Sequence, residues 1–339
     1  MILDTVSLLT AVVTGILSLI VYKVISFYKT VAKYPRGPFP LPVVGNIPFL
    51  IRIKKNRHMH DVLEELSKVY GPVFTIWLGY QPQILVYDTE ACLEVLKSKT
   101  FAGRPHFAFS DEVASRPGSI NIAFGDFSRE WEVLRRVSFA AIRKYATNES
   151  LSHHVVHVTD QIVDRMNKKP NDIDVEENMS MLLLSLLSTS AFGKKYDLED
   201  EEFKEIVKTM ELLSSENQVF FVIGLASTLR FVFWFQWQKI LKTTRYFRNL
   251  VGQRYQEHEE SFDISKNRDF TDSLLWARSQ AEEDEEPEVL KYIDQWNIRN
   301  AVANLFFAGS QTSRMTLLWW FLHSALDQVI CVISVDHFI

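Results

Sequence analysis

The hydrophobic pattern of the chain begins with an apolar run over residues 5–22 that contains no charged residue. At a rise of ~1.5 Å per residue the run predicts a helix of roughly 27 Å, close to the thickness of a thin hydrocarbon core. Only Asp4 precedes the run, whereas the basic residues that follow it are Lys23, Lys29, Lys33 and Arg36. The positive-inside bias therefore predicts a transmembrane signal anchor over residues 1–22, with the rest of the chain in the cytosol. A cleaved signal peptide is the alternative, and it fits less well because the basic residues follow the apolar run.

Proline spacing marks the segment after the anchor. Four prolines fall within residues 35–42, and this density excludes both a helix and a hydrogen-bonded ladder. We expect a stiff, basic and proline-rich hinge over residues 23–48, with a plain spacer as the alternative.

The pattern after the hinge changes from strand-like to helical. A helix over 60–70, strands over 73–78 and 83–87, and a short helix over 89–97 are predicted first. Helical periodicity then dominates over residues 129–145, 152–168, 177–192, 200–215, 237–260, 270–281 and 289–327. The predicted fold class is therefore mostly α with a small β part.

Composition narrows the class of partner. The 339 residues carry a net charge of −5, which gives no reason to expect nucleic acid as a partner. Cys92 and Cys331 lack metal-like spacing and do not indicate a disulfide scaffold. A cluster formed by His153, His154 and His157 lacks a nearby carboxylate and is expected on a solvated helix face rather than at a metal.

A glycine inside the last predicted helix is the first candidate for chemistry. Gly309 costs ~1 kcal/mol relative to alanine at such a position. The hydroxyl of Thr312 can donate back to the carbonyl of Ala308, which loosens the local hydrogen-bond ladder. The predicted result is a groove with a hydroxyl beside it, and a packing glycine in a buried helix is the alternative.

A tryptophan and an arginine on one helix face could together hold a carboxylate. Trp131 and Arg135 share one helix face at i,i+4 spacing, and an indole N–H beside a guanidinium suits a buried carboxylate. An exposed aromatic–arginine stack is the alternative for this pair. Arg104 lies in the sequence Gly-Arg-Pro, and a turn residue facing water is the alternative there.

The order of these features resembles the N-terminal two-thirds of a microsomal cytochrome P450. The features are the anchor, the proline hinge, the early hairpin, Gly-Arg-Pro, Trp-x-x-x-Arg, residues 268–275 and Ala-Gly-x-x-Thr. The resemblance looks nearest to the steroid 17α-hydroxylase/17,20-lyase group and the related drug-metabolising families. It implies a truncated P450 fold behind the anchor, with a partial catalytic domain over 49–327 and a divergent tail over 328–339. Apolar stretches over 107–124 and 219–235 fall where this family has a substrate lid and a membrane-dipping element, and core burial is the alternative for both.

The resemblance also implies a chemistry. Such proteins are haem-thiolate monooxygenases of the endoplasmic reticulum membrane. They insert one oxygen atom from O2 into a steroid or similar apolar substrate, with electrons from NADPH that a reductase delivers.

Site roles follow from the same resemblance. The residues implied for oxygen binding and proton delivery are Ala308, Gly309, Gln311 and Thr312. The residues implied for binding the haem propionates are Arg104, Trp131 and Arg135. Gln311 departs from the family, which usually has an acid before the threonine. An amide cannot relay protons as a carboxylate can, so proton delivery is expected to differ.

The axial ligand of the iron is the last expectation. In this family a thiolate pushes electron density into the iron, and it comes from a glycine-flanked cysteine loop expected after residue 339. Neither Cys92 nor Cys331 lies in such a loop. The sequence therefore predicts a fragment that is inactive alone and does not bind haem through sulfur. The alternative is a non-catalytic, membrane-anchored short form that binds lipid or the reductase. A basic helix that could meet the reductase carries Arg135, Arg136, Arg143 and Lys144.

Overall fold

The computed structural model describes residues 2–54, 57–104, 116, 118–146, 149–168, 170, 173–215 and 233–326. These residues divide into two compact units, one formed by the chain up to Gly103 and one by the chain from Arg104 onward. The expected tail over 328–339, Cys331 and most of the two apolar stretches lie outside the described residues.

The first unit combines a long N-terminal helix with a hairpin and short helices. Its elements are α1 Ile2–Val31, α2 Ile47–Lys54, α3 Met59–Tyr70, β1 Val73–Leu78, β2 Gln81–Val86 and α4 Thr89–Lys97. Within α1, the segment Thr10–Val31 is long and apolar enough to cross a membrane. The helix therefore continues past the end of the charge-free run at residue 22, because lysine is a good helix former and does not interrupt it.

The hairpin is antiparallel, with Val73 opposite Val86 and Leu78 opposite Gln81. The predicted pair of strands is confirmed, although the second strand begins at Gln81 rather than at residue 83. Pro82 is tolerated there because, in the part of the chain that the structure describes, β2 pairs only with β1 and forms an edge. The hydrophobic core of this unit contains Leu50, Val62, Leu66, Phe74 and Ile76.

The hinge is fixed to this hairpin by a buried asparagine. Asn46 is fully buried, its Oδ1 accepts from the Trp77 backbone N–H at 2.7 Å, and its Nδ2 donates to the Pro38 carbonyl at 3.0 Å. The end of α1 is packed there too, since the ring of Phe27 lies 5.3 Å from that of Trp77 and 5.8 Å from that of Tyr80. The proline-rich segment is thus held against the hairpin by specific contacts.

The regular secondary structure of the second unit is helical in the described residues. Its elements are α5 Arg129–Ala146, α6 Glu149–Lys168, α7 Val175–Phe192, α8 Glu201–Ser215, α9 Trp234–Glu260, α10 Phe270–Glu283, α11 Pro287–Tyr292 and α12 Gln295–Leu326. The predicted class, mostly α with a small β part, is confirmed.

One predicted helix is divided in two. The periodic stretch over 289–327 becomes α11 and α12, which Ile293 and Asp294 separate. The Asp294 carboxylate accepts from the backbone N–H of Asn297 at 2.8 Å and so starts α12 as an N-cap residue. Helical periodicity alone did not distinguish this break, because Asp294 falls where a helix surface residue is also expected.

The core of the second unit lies where α7, α9 and α12 meet. Phe306 is completely buried, and its ring lies 5.1 Å from that of Phe192 and 5.3 Å from that of Phe247. Aromatic pairs at these separations add to the burial of apolar area. The first half of α12 is therefore a central core helix of this unit.

The expectation of a solvated face on α6 is wrong for one of its three histidines. His153 and His157 are exposed, but His154 is buried and its Nε2 lies 2.7 Å from the hydroxyl of Thr189 on α7. The helical period turns His154 toward α7. The polar residues around His154 in the sequence had indicated an exposed face instead.

Candidate functional site

The turn between Ala308 and Thr312 lies midway along α12. The Thr312 hydroxyl donates to the carbonyl oxygen of Ala308 at 2.5 Å, as the spacing predicted, and both residues are exposed. One turn later the Thr316 hydroxyl donates to the Thr312 carbonyl at 2.9 Å. Two successive hydroxyls thus donate to helix carbonyls on an accessible face, which weakens the hydrogen-bond ladder there.

Gly309 lies on the face of α12 that packs against α7. A Cβ atom added to it would lie 2.7 Å from Cδ2 of Leu187 on α7. The missing side chain therefore lets α12 approach α7 closely, which is the packing role that the sequence left open as an alternative. Adjacent residues of one motif consequently face different surroundings, with Ala308 accessible and Gly309 against α7.

Gln311 also faces α7, through an arginine that the sequence analysis did not single out. Its Oε1 accepts from Nη2 of Arg314 at 2.6 Å. Nη1 of Arg314 reaches Ser180 Oγ at 3.2 Å and Glu176 Oε1 at 3.0 Å, both on α7. The Arg314 side chain is only 11% exposed, so this ion pair is partly desolvated and stronger than a surface pair. The signal that could have revealed it is a single arginine in an apolar stretch, three residues after Gln311.

A cleft of 580 Å³ opens beside Gln311 and Arg314. Acidic and basic side chains dominate its lining, among them Glu176, Lys208 and Glu211. Burial raises the pKa of the Glu211 carboxyl, although the charge of Arg314 opposes that shift. Because apolar ligands favour apolar walls, this cleft does not suit an apolar substrate.

Trp131 and Arg135 meet as their spacing predicted. The guanidinium carbon of Arg135 lies 4.9 Å from the centre of the Trp131 ring, in a cation–π contact. The indole N–H of Trp131 donates to the carbonyl of Ile122 at 3.0 Å. The exposed guanidinium of Arg135 forms no ion pair within the described residues, so its N–H groups are available to a carboxylate.

Arg104 has a different neighbour. Its backbone N–H donates to Oδ1 of Asp126 at 3.0 Å, and the same oxygen accepts from the Phe127 backbone at 2.8 Å. Among the described residues no hydrogen bond or ring contact joins Arg104 to Trp131 or Arg135. The structure thus brings together two of the three predicted carboxylate-binding residues.

A stripe of three asparagines on α12 makes contacts that were not predicted from the sequence. Asn297 Oδ1 accepts from the backbone N–H of Ile120 at 2.7 Å, and Asn300 Nδ2 donates to the Ile120 carbonyl at 2.9 Å. Asn304 follows one turn later and one turn before Ala308, and its buried Nδ2 has no partner among the described residues. Three asparagines at i, i+3 and i+7 in an apolar helix were the signal for this stripe.

Comparison with known proteins places these features in a family. A family model for cytochrome P450 matches residues 35–330. The chain is 27% identical to cytochrome P450 2A9 of Mesocricetus auratus, over 95% of this chain and 67% of that protein. It is 28% identical to cytochrome P450 2B19 of Mus musculus, over 94% of this chain and 63% of the relative. It is 27% identical to cytochrome P450 2C8 of Homo sapiens, over 86% of this chain and 58% of that protein.

These relatives belong by name to groups 2A, 2B and 2C, and they do not confirm the expected likeness to the steroid 17α-hydroxylase group. The chain spans 57–67% of the length of the curated relatives that it matches. Since the family model covers most of the chain, and the helical second unit agrees with the resemblance that the motifs carried, the protein belongs to the cytochrome P450 family.

Proposed function

We propose that this chain forms the distal part of a haem-thiolate monooxygenase, which inserts one atom of O2 into a steroid or similar apolar substrate with electrons from NADPH through a reductase. The observation that carries the proposal is the exposed Ala308–Thr312 turn, with its hydroxyl bonded into the helix, in a chain of this family. The apolar helix α1 supports a place in the endoplasmic reticulum membrane.

The residues fit haem at its carboxylates. Arg135 is exposed, stacks on Trp131 and has donors available, and these are the properties that a propionate needs. Trp131 would contribute its indole N–H only after releasing Ile122, and Arg104 would contribute its side chain. When bound, haem supplies the iron at which dioxygen is bound and activated.

Proton delivery falls to Thr312 in this proposal. Its hydroxyl holds a proton directed at the Ala308 carbonyl, and a rotation about χ1 redirects that proton away from the helix. Gln311 takes no part, because Arg314 holds its amide oxygen toward α7 and an amide does not exchange protons as a carboxylate does. Water is therefore the proton source for Thr312.

The thiolate ligand is proposed not to be Cys92. Its Sγ donates to the carbonyl of Val86 on β2 at 3.3 Å, in the first unit of the structure. Cys331 has no glycine-flanked loop before it in the sequence. We therefore expect the 339-residue chain to bind haem without the absorption signature of a thiolate ligand.

The test is a haemin titration of the detergent-solubilised chain. Arg135→Gln should weaken haemin binding about tenfold, because a charge-assisted hydrogen bond contributes roughly 1.5 kcal/mol or more. Arg245→Gln, an exposed arginine on α9, is the matched control and should leave the affinity unchanged. Equal affinities for Arg135→Gln and the unaltered chain would remove the propionate role, and a thiolate-type Soret band would remove the expectation for sulfur.

A second candidate is a non-catalytic short form that binds the reductase. It is favoured by the exposed cations of α5, which are Arg135, Arg136, Arg143 and Lys144. Salt-sensitive binding of the chain to the reductase, without electron transfer and without haem uptake, would support this function over the monooxygenase.

A further inference from the structure

The guanidinium of Arg299 is clamped between two helices in the second unit. Its central carbon lies 4.8 Å from the ring centre of Trp296, one turn earlier on α12. On the other side, a Cβ atom at Gly252 of α9 would overlap Nη2 of Arg299. Glycine at position 252 therefore lets this cation lie directly against α9, where a larger residue would make its guanidinium shift.

This cation lacks a counter-charge. Nε of Arg299 is buried without a hydrogen-bond partner, and no carboxylate pairs with Arg299 among the described residues. Burial, and then the neighbouring charge of Arg248, lower the pKa of Arg299. The phenol of Tyr255 acts in the opposite direction. The surroundings thus disfavour the charge that the side chain must carry.

More positive charge gathers at the same place. Arg248 precedes Gly252 by one turn on α9, so the two share a helix face. The guanidinium carbon of Arg116 lies 5.8 Å from the centre of the Trp296 ring, which Arg299 also contacts. Two arginines therefore contact one indole, and the charge of a third lies close enough to lower the pKa of Arg299.

A partly buried guanidinium with an unpartnered Nε and like charge nearby costs folding free energy unless an anion completes it. A guanidinium group can also donate two parallel hydrogen bonds to the oxygens of one carboxylate or phosphate. We propose that Arg299, with Arg116 at the same Trp296 ring, forms a binding site for the anionic group of a small ligand, a carboxylate or a phosphate. The site is independent of haem and of the proposed monooxygenase activity.

The test uses the full chain in detergent, with thermal unfolding and calorimetric titration as readouts. Octanoate is the probe, octan-1-ol is its uncharged counterpart, and inorganic phosphate at constant ionic strength is the free anion. Octanoate should raise the unfolding temperature and octan-1-ol should not. Octanoate binding more tightly than phosphate would identify an organic carboxylate as the ligand class, and equal binding would identify any small anion.

Variants separate this site from general charge effects. Arg299→Gln should weaken octanoate binding at least about tenfold, and in the absence of anions it should unfold at the same or a higher temperature because an uncompensated cation is gone. Arg299→Lys should retain part of the binding, and Arg245→Gln, an exposed arginine on α9, should retain all of it.

Two results would overturn the proposal. One is octanoate affinity that is the same in Arg299→Gln and in the unaltered chain. The other is an anion-free unfolding temperature that falls in Arg299→Gln while neither octanoate nor phosphate binds the unaltered chain, which would make Arg299 a structural cation only.

Discussion

Two polar regions of the second unit contrast sharply. At the junction of α9 and α10, His258, Asp269 and Asp272 are buried and bonded to one another or to neighbouring groups. On α12, Ala308 and Thr312 are exposed, and within the described part of the chain the Thr312 hydroxyl hydrogen-bonds to the helix backbone. Both regions lie in segments that resemble P450 motifs. The difference teaches that complete partnering marks a structural role, whereas accessible polar groups with few partners are the ones available to a ligand.

The buried region is an ion-pair network. His258 Nδ1 lies 2.7 Å from the carbonyl of Arg254, and Nε2 lies 2.6 Å from Asp269 Oδ2. A carbonyl only accepts, so Nδ1 carries a proton, and Nε2 donates to the carboxylate as in an imidazolium. Gly193 leaves room for this carboxylate, since a Cβ atom there would lie 2.7 Å from Asp269 Oδ2.

His258, Asp269 and Asp272 also have the composition of a metal site, with their ligand atoms within 4.8 Å of one another. Their donors are already used. Nε and Nη2 of Arg268 bind the Asp272 carboxylate at 2.6 and 2.8 Å, and Asp269 Oδ1 accepts from the Asp272 backbone at 3.0 Å. A cation would have to displace Arg268, so the cluster is a salt-bridge network that ties α9 to α10.

The largest expected effect comes from breaking this network. Asp269→Ala leaves His258 buried without its counter-charge and removes the N-cap of α10, so we expect the free energy of unfolding to fall by about 3–5 kcal/mol. Urea unfolding followed by circular dichroism measures the change. Asp263→Ala removes an exposed carboxylate from the nearby loop and should cost far less stability. Similar losses in the two variants would contradict the assignment of a buried pair.

An intermediate effect is expected on α12, where two adjacent residues face different surroundings. Gly309→Val would push a side chain into Leu187 and should destabilise by about 1–3 kcal/mol, whereas Ala308→Val on the exposed face should stay within about 0.5 kcal/mol. Combining Gly309→Val with Leu187→Ala should restore much of the loss, as a double-mutant cycle would show. Additive losses would mean that Gly309 serves the groove rather than the packing against α7.

The sequence was informative where contacts are local. The Thr312–Ala308 bond and the Trp131–Arg135 stack each lie within one helical turn, so spacing alone determines that the groups can meet. The hairpin followed from two apolar runs around a glycine turn, in the same way.

Contacts between distant segments could not be read in this way. Gly309 meets Leu187 and Arg314 meets Glu176 across more than a hundred residues, and periodicity gives the face of a helix but not the helix that covers it. The same limit explains His154. The sequence indicated a solvated position on α6 because its partner Thr189 lies on a different helix, α7. Asp294 shows a further limit, since the same residue type serves a helix surface and an N-cap.

The smallest expected effect is on pH dependence, and here the two buried histidines should differ in sign. Burial alone would lower the pKa of His258, but the hydrogen bond and charge of Asp269 outweigh burial and raise it. The stability that this pair contributes is therefore complete below the unfolded pKa of about 6.5 and is lost as pH rises through the folded pKa. For His154, burial lowers the pKa, with Lys195 and His157 adding to the shift. Its neutral form is favoured in the folded chain, so stability is lost as pH falls below about 6.5.

Urea midpoints measured from pH 5 to pH 9 test this opposition between His258 and His154. His258→Gln should flatten the loss of stability on the alkaline side, because the group that deprotonates there is gone. His154→Gln should flatten the loss on the acid side and leave the alkaline side unchanged. If both variants altered the same limb, the two histidines would share one electrostatic environment, and the distinction between a fully paired cation and a buried neutral ring would fail. Opposite limbs would show that burial alone does not fix the sign of a histidine's contribution, since the Asp269 carboxylate reverses it at His258 and the Thr189 hydroxyl does not at His154.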